Sequence, residues 1–138
     1  MQNIAMTDEA DKSRHKPFRR PLGEILDDLS KPIPDRFLGK RKQGGSTITY
    51  VPWYEVTRLM DFFAPGWSGE IASITFTETR VTVVYRITIH AAEGDFHREA
   101  TGTEVLNKSF GDPITAAEQQ AFKRACARWG MGLELYGE

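Results

Sequence analysis

The sequence predicts an α+β fold: an antiparallel β-meander of three to four strands with a C-terminal helix packed across one face. Three observations predict it. Residues 81–90 alternate strictly, with Val81, Val83, Tyr85, Ile87 and Ile89 on one face and Thr82, Val84, Arg86, Thr88 and His90 on the other, the period-two pattern of a strand with one buried face. Two further stretches of strand character, 67–76 and 96–103, flank it, joined through Thr77-Glu78-Thr79-Arg80 and a turn around Glu93-Gly94-Asp95. The pattern then turns helical, with Ala121, Phe122, Ala125, Cys126 and Trp129 on one side and Gln120, Lys123, Arg124 and Arg128 on the other, before Gly130 and Gly132 end it.

The remaining elements follow in chain order. Residues 1–20 carry acids at Asp8, Glu9 and Asp11, then basic clusters at Arg14-His15-Lys16 and Arg19-Arg20, and are expected to form a flexible basic arm ahead of one domain over 21–138. Leu22, Ile25, Leu26 and Leu29 fall on one helical face, and Pro32 and Pro34 end that helix. It is too short to stand alone, so its apolar stripe docks either on the main domain or on a neighbouring subunit. Lys40-Arg41-Lys42-Gln43-Gly44-Gly45 is expected to be a basic loop, followed by a β-branched strand over 47–51 that Pro52 stops. Val56, Leu59, Met60 and Phe63 give a second helix from Trp53 to Phe63, closed by Ala64-Pro65-Gly66. Thr115-Ala116-Ala117-Glu118 has the form of a capping box, which starts the last helix there.

Composition limits the function. A chain of 138 residues supports one modest core. No apolar run reaches the ~20 residues that span a bilayer, so no membrane partner is expected. The first residues lack a secretory apolar stretch, which predicts a cytoplasmic protein of a bacterium, its nucleoid or a phage-infected cell. The single cysteine, Cys126, sits among helix-patterned apolar residues and reads as a buried thiol. A net charge of −1 excludes a uniformly basic nucleic-acid binder, so any anion-binding surface has to come from uneven placement of charge.

Catalytic patterns are missing. Gly44-Gly45 lacks the Gly-Lys-Ser/Thr continuation of a nucleotide-phosphate loop. His15, His90 and His97 with one cysteine do not make a zinc set. Acids such as Glu70, Glu78, Glu93, Asp95, Glu99 and Glu104 fall at turns or exposed strand positions instead of forming a metal-binding cluster, which disfavours a metal nuclease. No enzyme activity and no cofactor are expected. The informative feature is the last helix, where Lys123, Arg124 and Arg128 fall within an arc of roughly 140° at ~100° per residue. Such a face is either a solvated helix surface or a seat for a phosphate backbone.

The run Glu118-Gln119-Gln120-Ala121-Phe122-Lys123-Arg124-Ala125-Cys126-Ala127-Arg128-Trp129-Gly130, followed by Gly132-Leu133, resembles the signature helix of Rad-fifty-two-type single-strand annealing proteins. Tyr50 and the helix ending in Phe62-Phe63-Ala64-Pro65-Gly66-Trp67 are similar to that family's entry into its meander, and Glu93 to Glu99 with Gly102 resembles its hairpin. The resemblance spans about Ile33 to Tyr136 and extends to the bacterial DdrA and phage Sak groups. It implies a β-β-β-α core assembling into homo-oligomeric rings, ATP-independent binding of single-stranded DNA, and strand annealing or end protection in homologous recombination and double-strand break repair. It places the family's basic pair on Lys123 and Arg124 and its loop lysine near Lys108. A basic residue that eukaryotic members carry at the start of the Trp53 helix falls on Glu55, with Arg58 one turn along as a substitute. With Arg128, Lys40, Arg41, Lys42 and Arg86, these make up the candidate DNA-binding set. The alternative is an oligomeric scaffold that recruits a recombinase partner through the basic arm and has little DNA affinity of its own.

Overall fold

The computed structural model describes residues 16–109 and 111–136. The elements in order are α1 (Leu22–Leu29), a 3₁₀ turn (Asp35–Phe37), β1 (Gly39–Gln43), β2 (Ser46–Tyr50), α2 (Trp53–Phe63), β3 (Ser68–Phe76), β4 (Arg80–Ala91), β5 (Gly94–Val105), α3 (Pro113–Arg128) and a second 3₁₀ turn (Leu133–Tyr136). Strands β3, β4 and β5 form an antiparallel meander, and β1 and β2 form a separate two-stranded hairpin. The α+β architecture with a last helix on the sheet is therefore as expected.

The alternation along β4 decides where the core lies. Val81, Val83, Ile87 and Ile89 are fully buried, and α3 covers that face with Ala117, Ala121, Phe122, Ala125 and Cys126. Burial of the Cys126 thiol pushes its pKa far up, which keeps it an inert packing group. The contact between helix and sheet is closest at Gly102 on β5, where a Cβ would collide with the Ala117 carbonyl and the Ala121 backbone. Only glycine allows that approach, since the obstruction is helix backbone and not a side chain able to rotate away.

Helix α1 docks on its own domain. Ile25 and Leu29 join Val56, Leu59 and Met60 of α2 in the main core. Each such side chain contributes roughly 1.5–3 kcal/mol on burial. A buried ion pair fixes the junction: Arg20 Nη2 lies 2.7 Å from Asp28 Oδ2, and Arg20 Nη1 donates to the Phe63 carbonyl at 3.0 Å. Lys31 reaches the other Asp28 oxygen at 3.0 Å. Burial by itself would raise the Asp28 carboxyl, but the hydrogen bonds from Lys31 and Arg20 outweigh it and hold the group below the usual carboxylate value.

Three expectations need correction. Residues 16–20 belong to the folded domain, not to an arm. The Lys16 amide donates to the Phe62 carbonyl at 3.3 Å, and the Ala92 amide donates to the Arg20 carbonyl at 3.0 Å. Arg19 adopts φ 57°, a costly region for a non-glycine residue, where its guanidinium bonds the Ala91 carbonyl and Asp95, each at 3.0 Å. Asp8, Glu9, Asp11, Arg14 and His15 lie outside the described residues. Secondly, Lys40, Arg41 and Lys42 are not in a loop but in β1; Gly44 and Gly45, both at positive φ, form the two-residue turn to β2. Thirdly, α3 starts at Pro113 and not at Thr115. Asp112 is its cap, accepting from the Ile114 amide at 2.9 Å, and Glu118 lies beyond the first turn.

Two stability measurements follow. Gly102→Ala is expected to destabilise the domain by about 1–3 kcal/mol and lower the thermal midpoint by roughly 5–10 °C, read by calorimetry. Asp28→Asn leaves Arg20 buried without its counter-charge and is expected to cost about 3 kcal/mol at neutral pH. Because the folded pKa of Asp28 is depressed, its stabilisation is complete above the ordinary carboxylate pKa and disappears as pH falls through the folded value. The stability gap between wild type and Asp28→Asn should therefore close in acid, and a gap independent of pH would refute the assignment.

Candidate nucleic-acid interface

The hairpin stands against one flank of α3 and leaves a cleft of about 530 Å³ between them. Strand geometry determines which basic residues enter it. In the β1–β2 register Arg41 pairs with Ile48 and Gly39 with Tyr50, so these four share one face, and that face lines the cleft. Lys40 and Lys42, paired with Thr49 and Thr47, point to the opposite face, where Lys40 donates to Thr49 Oγ1 at 3.3 Å. The basic triplet is therefore divided, with one arginine inward and two lysines outward.

From the other wall α3 contributes Lys123 and Arg124, and the segment after β5 contributes Lys108. Tyr50 sits among them. Its ring packs over Gly39, where a Cβ would lie 2.8 Å from Cζ of the ring. Arg41 Cζ is 5.0 Å and Lys123 Nζ 5.5 Å from the ring centroid, both within cation–π range. Lys123 Nζ also donates to the Val51 carbonyl at 3.0 Å, which fixes its position. Burial and then the nearby Arg41 charge bring the Lys123 ammonium below its usual pKa. Among the described residues Glu104 is the one carboxylate in the wall, 3.4 Å from Lys108. Four cations against one carboxylate on rigid elements make a site for an anion with several charges, such as a run of phosphodiesters.

The other predicted basic residues go elsewhere. Arg128 is exposed one turn beyond Arg124 and lines a shallower groove with it, beside Leu133 and Tyr136. Arg58 lies on α2 away from the cleft, 3.5 Å from Glu55. Arg86 is on the sheet face opposite α3, where it donates to Glu99 at 2.6 Å and to Glu70 at 3.1 Å. That face is covered by paired charges and offers no net positive surface around Arg86. Sequence reasoning placed Glu104 among solvated acids and gave no role to Gln119, Gln120 or Tyr136, all of which line the cleft. Gln120 shares the polar face of the helix with Lys123 and Arg124, whereas no local pattern marks Tyr136, which reaches the wall only as the 3₁₀ tail folds back and the Ile33 amide donates to Glu134 at 3.0 Å.

The depressed Lys123 ammonium can be measured directly. Side-chain NMR of labelled lysines should show Lys123 titrating below the ordinary lysine range, and Arg41→Gln should move it back up by removing a like charge. A Lys123 that titrates normally in both proteins would place its amine in solvent and not in the cleft wall.

A scan against family models matches residues 21–138 to the Rad52/22 family double-strand break repair protein model. Among curated proteins, the chain is 47% identical over 122 residues to the DNA repair RAD52-like protein 1, mitochondrial, of Arabidopsis thaliana, covering 86% of this chain and 69% of that one. It is 48% identical over 124 residues to the DNA repair RAD52-like protein 2, chloroplastic, of the same plant, covering 86% and 62% respectively. The chain thus spans about two thirds of the length of these relatives. They overturn the expected bacterial or phage cytoplasm, because both are plant proteins named for organelles. The expectation failed because it tested only for a secretory segment, whereas organellar addresses are of a different, amphipathic and arginine-rich kind that a folded domain does not reveal. A family match over nearly the whole described domain, together with identity near one half, means that the chain belongs to the Rad52/22 family of double-strand break repair proteins.

Proposed function

We propose that this protein binds single-stranded DNA without nucleotide hydrolysis, as a homo-oligomer that anneals complementary strands or protects ends during recombinational repair. The observation that carries the reading is the cleft in which Arg41, Lys123 and Arg124 converge around Tyr50 from a strand and a helix. Annealing forms no covalent bond. It requires only that phosphates be neutralised and the strand held while its bases remain free to test a complement. Ammonium and guanidinium groups on a framework do this without a cofactor or a catalytic residue. Lys108, partly neutralised by Glu104, sits at the edge of the track, and Arg128 extends it along α3. Lys40 and Lys42 lie on the back of the hairpin and take no part in this track. Ring assembly belongs to the proposal on the strength of the family, with exposed Phe96, Leu133 and Tyr136 as apolar contact points. The names of the two plant relatives support an organelle as the setting.

Fluorescence anisotropy of a labelled oligonucleotide tests the reading. Arg41→Ala, Lys123→Ala and Arg124→Ala are each expected to weaken binding about tenfold, equivalent to ~1.4 kcal/mol, without lowering the thermal midpoint. With four cations engaged per protomer, the log–log salt slope should be roughly −3 per site at about −0.7 per phosphate. Lys40→Ala should change affinity far less than Arg41→Ala. Three cleft variants indistinguishable from wild type at low salt would remove the cleft from the binding surface. No binding at all by an intact oligomer would favour the scaffold reading.

A further inference from the structure

Lys123 differs from the other lysines whose contacts the fold fixes. Lys108 lies 3.4 Å from Glu104 and Lys31 lies 3.0 Å from Asp28, each an ammonium held by a carboxylate. Lys123 has no carboxylate partner among the described residues; its contacts are the Val51 carbonyl at 3.0 Å and the Tyr50 ring, with Nζ 5.5 Å from the centroid. It is half-buried on a helix whose position the Gly102 contact fixes, so the amine has a defined place in the cleft wall. The charged and titratable groups around it are Arg41 and Tyr50 from the hairpin, Glu104 and Lys108 from the end of β5 and beyond, Arg124 on its own helix, and Tyr136 from the 3₁₀ tail. Of these, Glu104 is taken up by Lys108. Burial and then the Arg41 charge favour the uncharged amine.

An uncharged amine keeps N–H donors and gains a lone pair. The Val51 carbonyl can hold one donor, which leaves the nitrogen oriented and its lone pair free to attack an electrophile. A desolvated lysine beside another cation is the usual form of an amine that adds to a carbonyl. The arginines of the cleft cannot share this role, because a guanidinium does not lose its proton. They hold phosphate, and the lysine can react.

The electrophile follows from the chemistry of the ligand, and here the inference rests on the reading of the cleft as a seat for single-stranded DNA. An intact strand carries no aldehyde. A deoxyribose that has lost its base opens to an aldehyde at C1′, a few bonds from the phosphates on either side, so cations that grip those phosphates bring the aldehyde to the amine. Any reaction that hydrolyses the bond between base and sugar supplies such a position.

We propose that Lys123 captures abasic positions of the bound strand as a reversible imine between its Nζ and the sugar C1′. The nitrogen lone pair adds to C1′, the carbonyl π electrons pass to oxygen, and one amine proton moves to that oxygen to give a carbinolamine. Its hydroxyl then leaves with the second amine proton as water, and the C=N bond forms. Arg41 and Arg124 stabilise the negative charge that develops on oxygen during the addition. No oxidant, reductant or nucleotide is consumed, and water reverses the reaction.

The test uses the full chain and a fluorescent oligothymidylate with one internal abasic site. Sodium cyanoborohydride reduces the imine to a stable amine, read as a protein-bound strand on a denaturing gel. Each protein is brought to saturation, followed by anisotropy on the intact oligonucleotide, so that weaker binding is not mistaken for lost reaction. Wild type should be trapped and Lys123→Arg should not, and tryptic mapping of the wild-type product should place the strand on Lys123. Lys40→Arg, altered on the back of the hairpin, should be trapped like wild type. Because only the unprotonated amine adds, the trapping rate should rise with pH and level off below the ordinary lysine range. Arg41→Gln removes a like charge, raises the amine pKa and should move that profile to higher pH. An adduct mapped to Lys108, Lys42 or the N-terminal amine in place of Lys123, undiminished trapping of Lys123→Arg, or no product from a saturated complex would overturn the proposal while leaving DNA binding intact. Failure to bind the intact oligonucleotide would remove both.

Discussion

The contact between α3 and β5 at Gly102 is the constraint on which the rest of the structure depends. With no side chain there, helix backbone lies directly on strand backbone, so the helix can neither roll nor slide without a clash. Its azimuth is thereby fixed, and with it the destination of every outward residue. Ala117, Ala121 and Ala125 face the sheet because only small side chains fit under a helix this close, and Lys123 and Arg124 turn toward the hairpin. Glu118 turns toward α2 and β3. One close approach thus separates a cationic flank from an anionic, aromatic one on the same helix.

That separation resolves the apparent conflict between a net charge of −1 and the proposed nucleic-acid-binding role. Much of the acidic charge is engaged where it does not face the cleft: Glu70 and Glu99 neutralise Arg86 on the far side of the sheet, Asp28 holds Arg20 at the α1 junction, and Asp95 binds Arg19 and His90 at the end of the meander. Sidedness comes from pairing. A cation is most available to an anion where the fold gives it no carboxylate, and among the described residues the cleft has one carboxylate to four cations. Tyr50 keeps two of those cations together despite their mutual repulsion, since the ring attracts both and takes no charge itself.

The folded residues just before α1 show how a local reading goes wrong when its partners are distant. Lys16 to Arg20 look like solvent-exposed basic chain, yet Arg20 is 8% exposed. Its acceptors are Asp28, eight residues on, and the carbonyl of Phe63, 43 residues on. The hairpin went unrecognised for a related reason. Three consecutive basic residues before Gly44-Gly45 have low strand propensity, and their pairing with Thr47, Ile48 and Thr49 outweighs it. Among the turn signals, Asp112-Pro113 and Thr115-x-x-Glu118 both mark a helix start. The earlier pair prevailed because Asp112 accepts the Ile114 amide, and with the helix begun at Pro113 Glu118 lies past the first turn, where a capping box cannot form.

The sequence by itself determined the class of fold, the three strands and two longer helices, the buried face of β4, and the family through the helix from Glu118 to Gly130. All of these rest on periodicity or contiguous motif, information carried by neighbours in the chain. It also named Lys108, Lys123 and Arg124, which the structure sets along the walls of one cleft. Only the tertiary structure decided that Arg41 joins them while Lys40 and Lys42 turn away, that Arg86 and Arg58 are occupied elsewhere, and that a bulge at Ala72 brings Ile71 and Ile74 to the same side. These outcomes depend on strand register and on contacts between residues far apart in sequence. A shift of one residue in a strand exchanges its faces, and such a shift leaves no mark in composition or spacing.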